Sequence, residues 1–176
     1  MTADEVKKVL GLEEHPREGG WFRQTYAAGA MLPAVTLART AEPVEFNGPR
    51  RLSTAIYYLL ETGTFSEMHR LKSDEMFHHY AGDPVEMFSF FGIGQVERRV
   101  LGKDLAAGER PQVLVSRGVW QGARLLPAGS GGNGWALLGC TVAPGFEYDD
   151  YERATRHELM SRWPEHEELI LALTRE

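Results

Sequence analysis

Residues 63–82, GTFSEMHRLKSDEMFHHYAG, place a histidine and a glutamate between two glycines, at a spacing that could serve chemistry. If 65–71 forms a strand, a turn at 72–74 brings Glu75 to the start of a partner strand. Antiparallel pairing of these strands would set the imidazole of His69 against the carboxylate of Glu75. Such a pair can ligate a divalent metal ion, or the carboxylate can orient the imidazole for proton transfer.

Strand signals dominate the chain from about residue 34 to residue 146. Short segments rich in Val, Ile, Thr and aromatic residues alternate with turns that contain Gly, Pro or Asp. These segments are AVTLART, LSTAIYYLL, MFHHYAG, VEMFSFF, QVERRVL, QVLVS, VWQGARLL and GWALLGCTVA. The pattern predicts an antiparallel sandwich or barrel closed between Val35 and Val142, rather than an array of βαβ units. The segment WFRQTY at 21–26 is expected to add to one of its sheets.

Helices are expected at the two ends of the chain. Thr2 and Glu5 have the form of a capping box, and Gly11 suits the end of this short amphipathic helix. Near the C-terminus, an apolar stripe predicts a helix that ends at Pro164, and the same proline suits the first turn of a second helix ending near Leu173. The stripe consists of Tyr151, Ala154, Leu159 and Trp163. We expect the last two helices of the chain to pack outside the strands.

The composition argues against several classes of protein. The 176 residues carry a formal net charge of −6, so no dominant basic surface is offered to nucleic acid. Cys140 is the only cysteine, which excludes an intrachain disulfide and fits a reducing compartment. The sequence shows neither an apolar signal core at its start nor a membrane span. We therefore expect a single cytoplasmic domain over residues 1–176, without a nucleic-acid or membrane partner.

The spacing within residues 63–82 resembles the first motif of the cupin superfamily, which is glycine, five residues, His-x-His, three or four residues, glutamate, six residues and glycine. Both glycines, His69 and Glu75 match this skeleton, whereas Leu71 stands where the second histidine ligand belongs. The second cupin motif, Pro-x-Gly-x-x-His, corresponds to the segment SRGVWQ. Gln121 therefore replaces the third histidine ligand.

Further motifs, from about residue 12 to residue 174, narrow the resemblance to the cupin_5 (DUF985) family. That family is typified by HPEGG, STAIYFLL, FSxxHRLxSDExWH, VPAGxWQ and GCTVAPGF. This chain carries HPREGGWF, STAIYYLL, FSEMHRLKSDEMFHHY, VSRGVWQ and GCTVAPGFEYDDYE in that order, with Arg17 inserted and Ser116 in place of proline. The resemblance implies a mainly β cupin jelly roll (a double-stranded β-helix) with a short N-terminal helix and two C-terminal helices. It also implies a ligand pocket at the barrel mouth and a homodimer.

Residue chemistry and the resemblance together nominate the residues of that pocket. His69 is the expected base, Glu75 would tune or orient it, and Tyr57 or His78 would supply the acid. Regular strand alternation turns His79 to the face of Glu75, whereas the family pattern keeps a histidine at the position of His78, so which of the two faces the pocket stays open. Guanidinium and indole groups can clamp or stack on a ligand. Ligand contacts are therefore expected from Gln121, Arg23, Trp120 and His79.

A divalent metal is an open alternative with a depleted ligand set. His69, Glu75 and Gln121 would supply one imidazole, one carboxylate and one amide oxygen, which is fewer strong donors than a tight Zn²⁺ or Fe²⁺ site uses. We therefore expect water or a small organic ligand at these residues more often than an ordered metal ion. No cofactor is assigned with certainty.

Three functions follow from these residues. The first is an isomerase- or epimerase-like enzyme that transfers protons on a sugar-type or other small polar metabolite, which is an analogy with epimerase-like cupins. The second is a metal-dependent oxygenase or isomerase. The third is a binding module that uses the same pocket without a reaction, since the cupin fold alone does not choose among them.

Overall fold

The computed structural model describes residues 1–34, 44–126 and 132–175. Its N-terminal half contains α1 (Ala3–Leu10), β1 (Glu13–Glu14), β2 (Trp21–Ala27), β3 (Met31–Leu32), β4 (Arg50–Arg51), β5 (Thr54–Glu61), β6 (Phe65–Leu71), β7 (Asp74–Gly82) and β8 (Val85–Phe91). Then follow β9 (Gln95–Leu101), β10 (Gln112–Val115), β11 (Trp120–Leu125), β12 (Trp135–Ala143), β13 (Tyr151–Arg153), α2 (Arg156–Arg162) and α3 (Glu167–Ala172). Short 3₁₀ turns precede β13 and α3. Residues 35–40 of the predicted strand AVTLART lie outside the described residues; every other predicted segment contains a strand.

Two antiparallel sheets enclose the core of the protein. One has the strand order β1-β2-β5-β12-β7-β10, and the other has the order β13-β6-β11-β8-β9. Because side chains alternate across each strand, apolar residues from both sheets meet between them. This core consists of Tyr58, Leu60, Phe77, Val85, Met87, Leu101, Val113, Val115, Ala123, Ala136, Leu138 and Cys140. The predicted mainly β jelly roll is confirmed.

The helices cover the outer faces of the sheets. Helix α1 begins with the predicted capping box at Thr2 and buries Val6 against Leu59 and Trp135 of the six-stranded sheet. Helices α2 and α3 bury an apolar stripe on the five-stranded sheet, with members Met68, Phe88, Phe90, Trp120, Ala154, Leu159, Trp163, Ile170 and Leu173. Among the described residues, no helix is long and apolar enough to cross a membrane.

The first C-terminal helix begins later than the sequence predicts. Tyr151, placed by the apolar stripe on that helix, lies instead on β13, where it pairs with Leu71 of β6. The helix starts at Arg156 because the hydroxyl of Thr155 accepts a hydrogen bond from the backbone N–H of Glu158 and caps it. The extra strand brings an aromatic ring to the edge of the sheet that carries His69.

Candidate functional site

Three of the predicted site residues meet inside the barrel. Nε2 of Gln121 donates a hydrogen bond of 2.7 Å to Oε2 of Glu75 and lies 3.3 Å from Nε2 of His69. His69, Gln121 and Glu75 are only 1%, 2% and 6% exposed. The motif spacing therefore locates a buried polar cluster whose centre is the side-chain amide of Gln121.

The predicted hairpin between the strands of His69 and Glu75 is wrong. β6 pairs with β11 and β13, whereas β7 pairs with β10 and β12, so the two strands belong to different sheets. Closure of the jelly roll takes the chain from one sheet to the other between Leu71 and Asp74. His69 and Glu75 consequently approach each other across the barrel interior, with Gln121 between them, and not along a strand ladder.

An irregularity in β6 orients the imidazole of His69. The pairing with β11 shifts register between Gln121, opposite His69, and Ala123, opposite Ser66, which indicates a β-bulge. Nδ1 of His69 lies 2.7 Å from the backbone oxygen of Glu67 inside this bulge. Because a carbonyl oxygen only accepts, the proton of the neutral ring is on Nδ1. Nε2 then carries a lone pair, which suits its contact with the N–H₂ group of Gln121.

A second carboxylate, from Glu18, reaches the same part of the barrel. The hydroxyl of Ser66 donates to Oε1 of Glu18, and the hydroxyl of Tyr58 donates to the backbone oxygen of Gly19 at 2.8 Å. Gly20 has φ +70°, and a Cβ there would lie 2.7 Å from the backbone oxygen of Leu59. The glycines after Glu18 are thus required for the close approach of this segment to the barrel.

His15 supports the position of Glu18. Its Nδ1 accepts a hydrogen bond of 2.8 Å from the backbone N–H of Glu18, while its Nε2 lies 3.9 Å from Oε2 of the same residue. The imidazole packs edge-on against Phe22, with 4.7 Å between the ring centroids. Burial lowers the pKa of His15, so the ring is neutral at pH 7 and acts as an acceptor towards the backbone.

Tyr151 completes the surroundings of His69. The two rings stack with their centroids 4.9 Å apart and their planes 17° from parallel. The hydroxyl of Tyr151 is buried and finds no hydrogen-bond partner among the described residues. Oε1 of Gln121 is also buried and also lacks a hydrogen-bond partner among the described residues. Two residues that contact His69 thus each hold a buried polar atom that a ligand or a water molecule could satisfy.

The cluster borders a cavity of about 390 Å³. His69, Leu71 and Glu75 line it, while Gln121 lies behind them. The remaining polar lining includes Glu13, His15, Glu18 and Gln24, and the aromatic lining consists of Phe22, Phe146, Tyr148 and Tyr151. This volume is in the range of small-molecule sites.

The environment raises the pKa of Glu75 to about 8. Burial, which disfavours the ionised form, is the main cause, and the negative charge of Glu18 adds to it. The hydrogen bond from Gln121 acts in the opposite direction without cancelling these two effects. Glu75 is therefore protonated at neutral pH and can donate a proton.

The structure does not bring Tyr57 and His78 to this cavity, which corrects their predicted place beside His69. The alternation that turns Glu75 inward turns His78 to the outer face of the six-stranded sheet, where its Nε2 lies 3.2 Å from the hydroxyl oxygen of Thr141. Tyr57 lies on the same outer face, edge-on to Tyr80 with ring centroids 6.3 Å apart.

Three predicted ligand contacts are also elsewhere. His79 faces inward but contacts the backbone oxygen of Asp83 at 2.9 Å and does not line the cavity. Trp120 is packed under the C-terminal helices, because its neighbour Gln121 takes the inward position. Arg23 is exposed and donates to the backbone oxygen of Leu10 at 2.9 Å.

Sequence reasoning missed Glu18, His15 and Tyr151. Glu18 and His15 belong to HPREGG, a segment that carries the family resemblance but nominates no site residue, although its two glycines signal a close backbone approach. Tyr151 has the spacing of an apolar helix face, so the sequence predicts it in a helix although it lies on β13. Only the spacing of the glycines after an acidic residue could have pointed to a functional carboxylate.

The residues do not fit a resident metal centre. Among the described residues, no group of three or more His, Cys, Asp or Glu side chains is arranged to hold an ion. The atom between His69 and Glu75 is an amide nitrogen that carries hydrogens and offers no lone pair. Leu71 adds an apolar wall where the cupin motif has a ligand.

Two solved structures resemble the chain along its whole length. Protein SO0799 from Shewanella oneidensis is 35% identical, with 99% of this chain and 98% of that chain covered and a TM-score of 0.82. A hypothetical protein from Leishmania major is 29% identical, with both chains fully covered and a TM-score of 0.85. An oxalate decarboxylase from Bacillus subtilis, studied for its Mn(II) centres, is 13% identical over 92% of this chain and 37% of its own, with a TM-score of 0.51, and shows the fold alone.

No functionally curated protein matches the chain. The sequence profile of Cupin_5, described as cupin superfamily (DUF985), matches residues 4–154. The match includes the HPREGG segment, the strands of His69, Glu75 and Gln121, and all of β13. The chain therefore belongs to the Cupin_5 (DUF985) family of the cupin superfamily.

Proposed function

We propose that this protein binds a small polar metabolite in the barrel cavity and isomerises it by proton transfer. The observation that carries the proposal is the contact of one amide, that of Gln121, with both His69 and Glu75 at the wall of a cavity of about 390 Å³. A buried imidazole and a buried carboxyl group facing one cavity are the parts required for general acid–base catalysis.

His69 is the proposed base. Its lone pair is on Nε2, and its Nδ1–H is held by the backbone oxygen of Glu67 at 2.7 Å. When Nε2 takes a proton, the carbonyl stabilises the imidazolium that forms, as a fixed dipole already oriented towards it. The stacked ring of Tyr151 prevents the imidazole from turning away. The bulge in β6 thus prepares one nitrogen for proton abstraction.

Glu75 is the proposed acid, in place of Tyr57 and His78. It is protonated at neutral pH, since its pKa is raised to about 8. His69 would remove a proton from a hydroxyl-bearing carbon beside a carbonyl group while Glu75 gives its proton to the carbonyl oxygen, which produces a neutral enediol. The carboxylate of Glu75 would then take the proton of the other hydroxyl group while the imidazolium of His69 returns a proton to the former carbonyl carbon. The carbonyl group has then moved to the neighbouring carbon, and both side chains are restored.

The position of the two groups favours isomerisation over inversion. His69 and Glu75 come from facing sheets but contact the same amide nitrogen, so the two groups are close neighbours at the cavity wall. Inversion at one carbon needs an acid and a base on opposite faces of the substrate, whereas transfer between neighbouring atoms can proceed on a single face. Small carbonyl sugars are a reasonable substrate class by analogy with epimerase-like cupins.

The test is solvent exchange. The protein is incubated with aldoses and ketoses of three to six carbons in D₂O, and deuterium on carbon is measured by mass spectrometry and NMR. We expect incorporation that falls by about 10²-fold or more in His69→Gln, the usual scale for removing a general base. Because Glu75 donates in its protonated form, the rate should also fall as the pH rises through about 8.

His78→Gln is the matched control, because it removes an imidazole from the outer face of the same barrel. It should exchange deuterium at the wild-type rate. A substrate that binds the cavity and shows no deuterium incorporation would leave the protein a binding module and overturn the proposed reaction.

A further inference from the structure

We propose that the ligand of this cavity is a small organic cation, a molecule that carries an amino or ammonium group. The inference rests on the proposed function in one respect, that this cavity is the ligand site. It specifies that the small polar metabolite is positively charged, and it excludes phosphorylated and nucleotide-linked sugars, which are negatively charged.

The charges of the cavity wall are of one sign. Glu13 and Glu18 line the cavity beside the protonated Glu75, and no lysine or arginine among residues 1–34, 44–126 and 132–175 does so. The carboxylate of Glu18 accepts from the hydroxyl of Ser66, which is a neutral donor, and its side chain is only 12% exposed. A carboxylate that has lost most of its water calls for a positive partner.

The guanidinium groups nearest to the cavity are committed elsewhere. Arg153 and Arg175 both pair with the buried carboxylate of Glu67, through contacts of 2.6 Å and 3.2 Å. Arg17 lies over the ring of Tyr148, 4.9 Å from its centroid, and donates to the backbone oxygen of that residue. None of these three guanidinium groups pairs with Glu18, whose one ion-pair contact among the described residues is with the neutral ring of His15.

Acceptor atoms at the cavity offer places for the N–H groups of an ammonium ion. The carboxylate of Glu18 lines the cavity, and Oε1 of Gln121, whose amide contacts Glu75 at the wall, is a buried acceptor without a partner among the described residues. An ammonium group has hydrogen-bond donors and no acceptor, whereas a phosphate or carboxylate has acceptors only. An anionic ligand would face like charge and no donor with a full positive charge.

Aromatic rings form much of the remaining wall. Phe22, Phe146, Tyr148 and Tyr151 line the cavity, and the negative face of such rings attracts a cation. Rings around acidic residues are the arrangement by which proteins bind amines, because the rings exclude water while the carboxylates neutralise the charge. The combination of enclosure, aromatic walls and acceptors distinguishes this cavity from a solvated acidic patch.

The experiment compares probes of matched shape and different charge. Glucosamine, glucose and glucose 6-phosphate share one sugar ring and are positively charged, uncharged and negatively charged, respectively. Choline and its uncharged analogue 3,3-dimethyl-1-butanol form a second set. Binding is measured by isothermal titration calorimetry and thermal shift at pH 7. We expect each cation to bind at least about tenfold more tightly than its neutral counterpart, the equivalent of one favourable charge interaction. Glucose 6-phosphate should bind most weakly of the three sugars.

Variants assign the preference to the cavity. Glu18→Gln should reduce the preference for the cation about tenfold or more. Glu14→Gln makes the same change of net charge on β1, at an exposed residue outside the lining, and should keep the preference.

Equal or tighter binding of the neutral or phosphorylated probe would overturn the inference while leaving the proposed proton transfer intact. No binding of any probe would overturn the inference, whereas cation binding without deuterium exchange would support it and overturn the reaction alone. Binding of the cationic, neutral and anionic probes to the wild-type protein tests the inference even if Glu18→Gln does not fold.

Discussion

The barrel carries a histidine–glutamine pair on each side of its wall, and the two pairs differ in what surrounds them. Inside, Nε2 of His69 lies 3.3 Å from the amide nitrogen of Gln121. On the outer face of the six-stranded sheet, Nδ1 of His78 lies 3.0 Å from the amide nitrogen of Gln112. The inner pair is almost fully buried and touches a carboxyl group, whereas Gln112 is exposed and no carboxylate is recorded in contact with His78.

This difference shows why residue types alone do not make a site. The inner pair has lost its water, so each hydrogen bond orients a group and the carboxyl group of Glu75 keeps its proton. The outer pair exchanges its hydrogen bonds with solvent at little cost. The same imidazole and amide are therefore preorganised for proton transfer on one side of the wall and serve as surface polar groups on the other.

The difference between the inner and the outer pair predicts its largest effect for metal binding. Leu71 lines the inner cavity beside His69, and it occupies the place of a metal ligand in the cupin motif. Leu71→His combined with Gln121→His would supply three imidazoles and the carboxylate of Glu75. We expect this variant to gain about 4 kcal/mol of stability with Zn²⁺ or Mn²⁺ at a thousandfold excess over the dissociation constant, measured by thermal unfolding.

The control adds a histidine to the outer pair. Gln112→His places a second imidazole beside His78 without a carboxylate in contact, and two imidazoles on an exposed face should bind the metal far more weakly. Wild-type protein should show no stabilisation. Equal stabilisation of the outer variant, or strong stabilisation of the wild type, would contradict the account of the inner cluster.

A smaller effect concerns the two glutamines. Gln121→Leu removes the donor that holds Glu75 and His69 and should lower the free energy of unfolding by about 1–3 kcal/mol, the cost of leaving buried polar groups unpaired. Gln112→Leu should change it by less than about 0.5 kcal/mol, as expected for an exposed position. Urea denaturation at pH 7 measures both, and similar losses for the two variants would remove the distinction between the pairs.

The sequence predicted the strands and the inner cluster for different reasons. Short segments rich in apolar and aromatic residues between turns indicate buried strands directly, so every predicted segment within the described residues, such as VEMFSFF at β8, contains a strand. The convergence of His69, Glu75 and Gln121 followed from motif spacing that resembles a known family. The pairing of β6 with β11, and not with β7, depends on closure of the whole barrel and has no local signal.

Errors at Tyr57, His78 and Tyr151 have a similar origin. Tyr57 is nominated for its chemistry and His78 for the family pattern, whereas the alternation of side chains along each strand turns both to the outer face. Tyr151 has the right spacing for a helix, but pairing with Leu71 at the edge of a sheet outweighs that local preference. Residues that depend on long-range pairing are the ones that a single sequence does not place.

The protonation of Glu75 tests the central claim most directly. ¹³C NMR of protein labelled at the glutamate carboxyl carbons, with Glu75→Gln used to assign the signal, follows this group from pH 4 to pH 10. If burial and the charge of Glu18 act as described, Glu75 titrates near pH 8 and is a neutral donor at pH 7. Titration near its ordinary value of 4.5 would leave a carboxylate at neutral pH, and Glu75 could not be the acid that the proposed proton transfer requires.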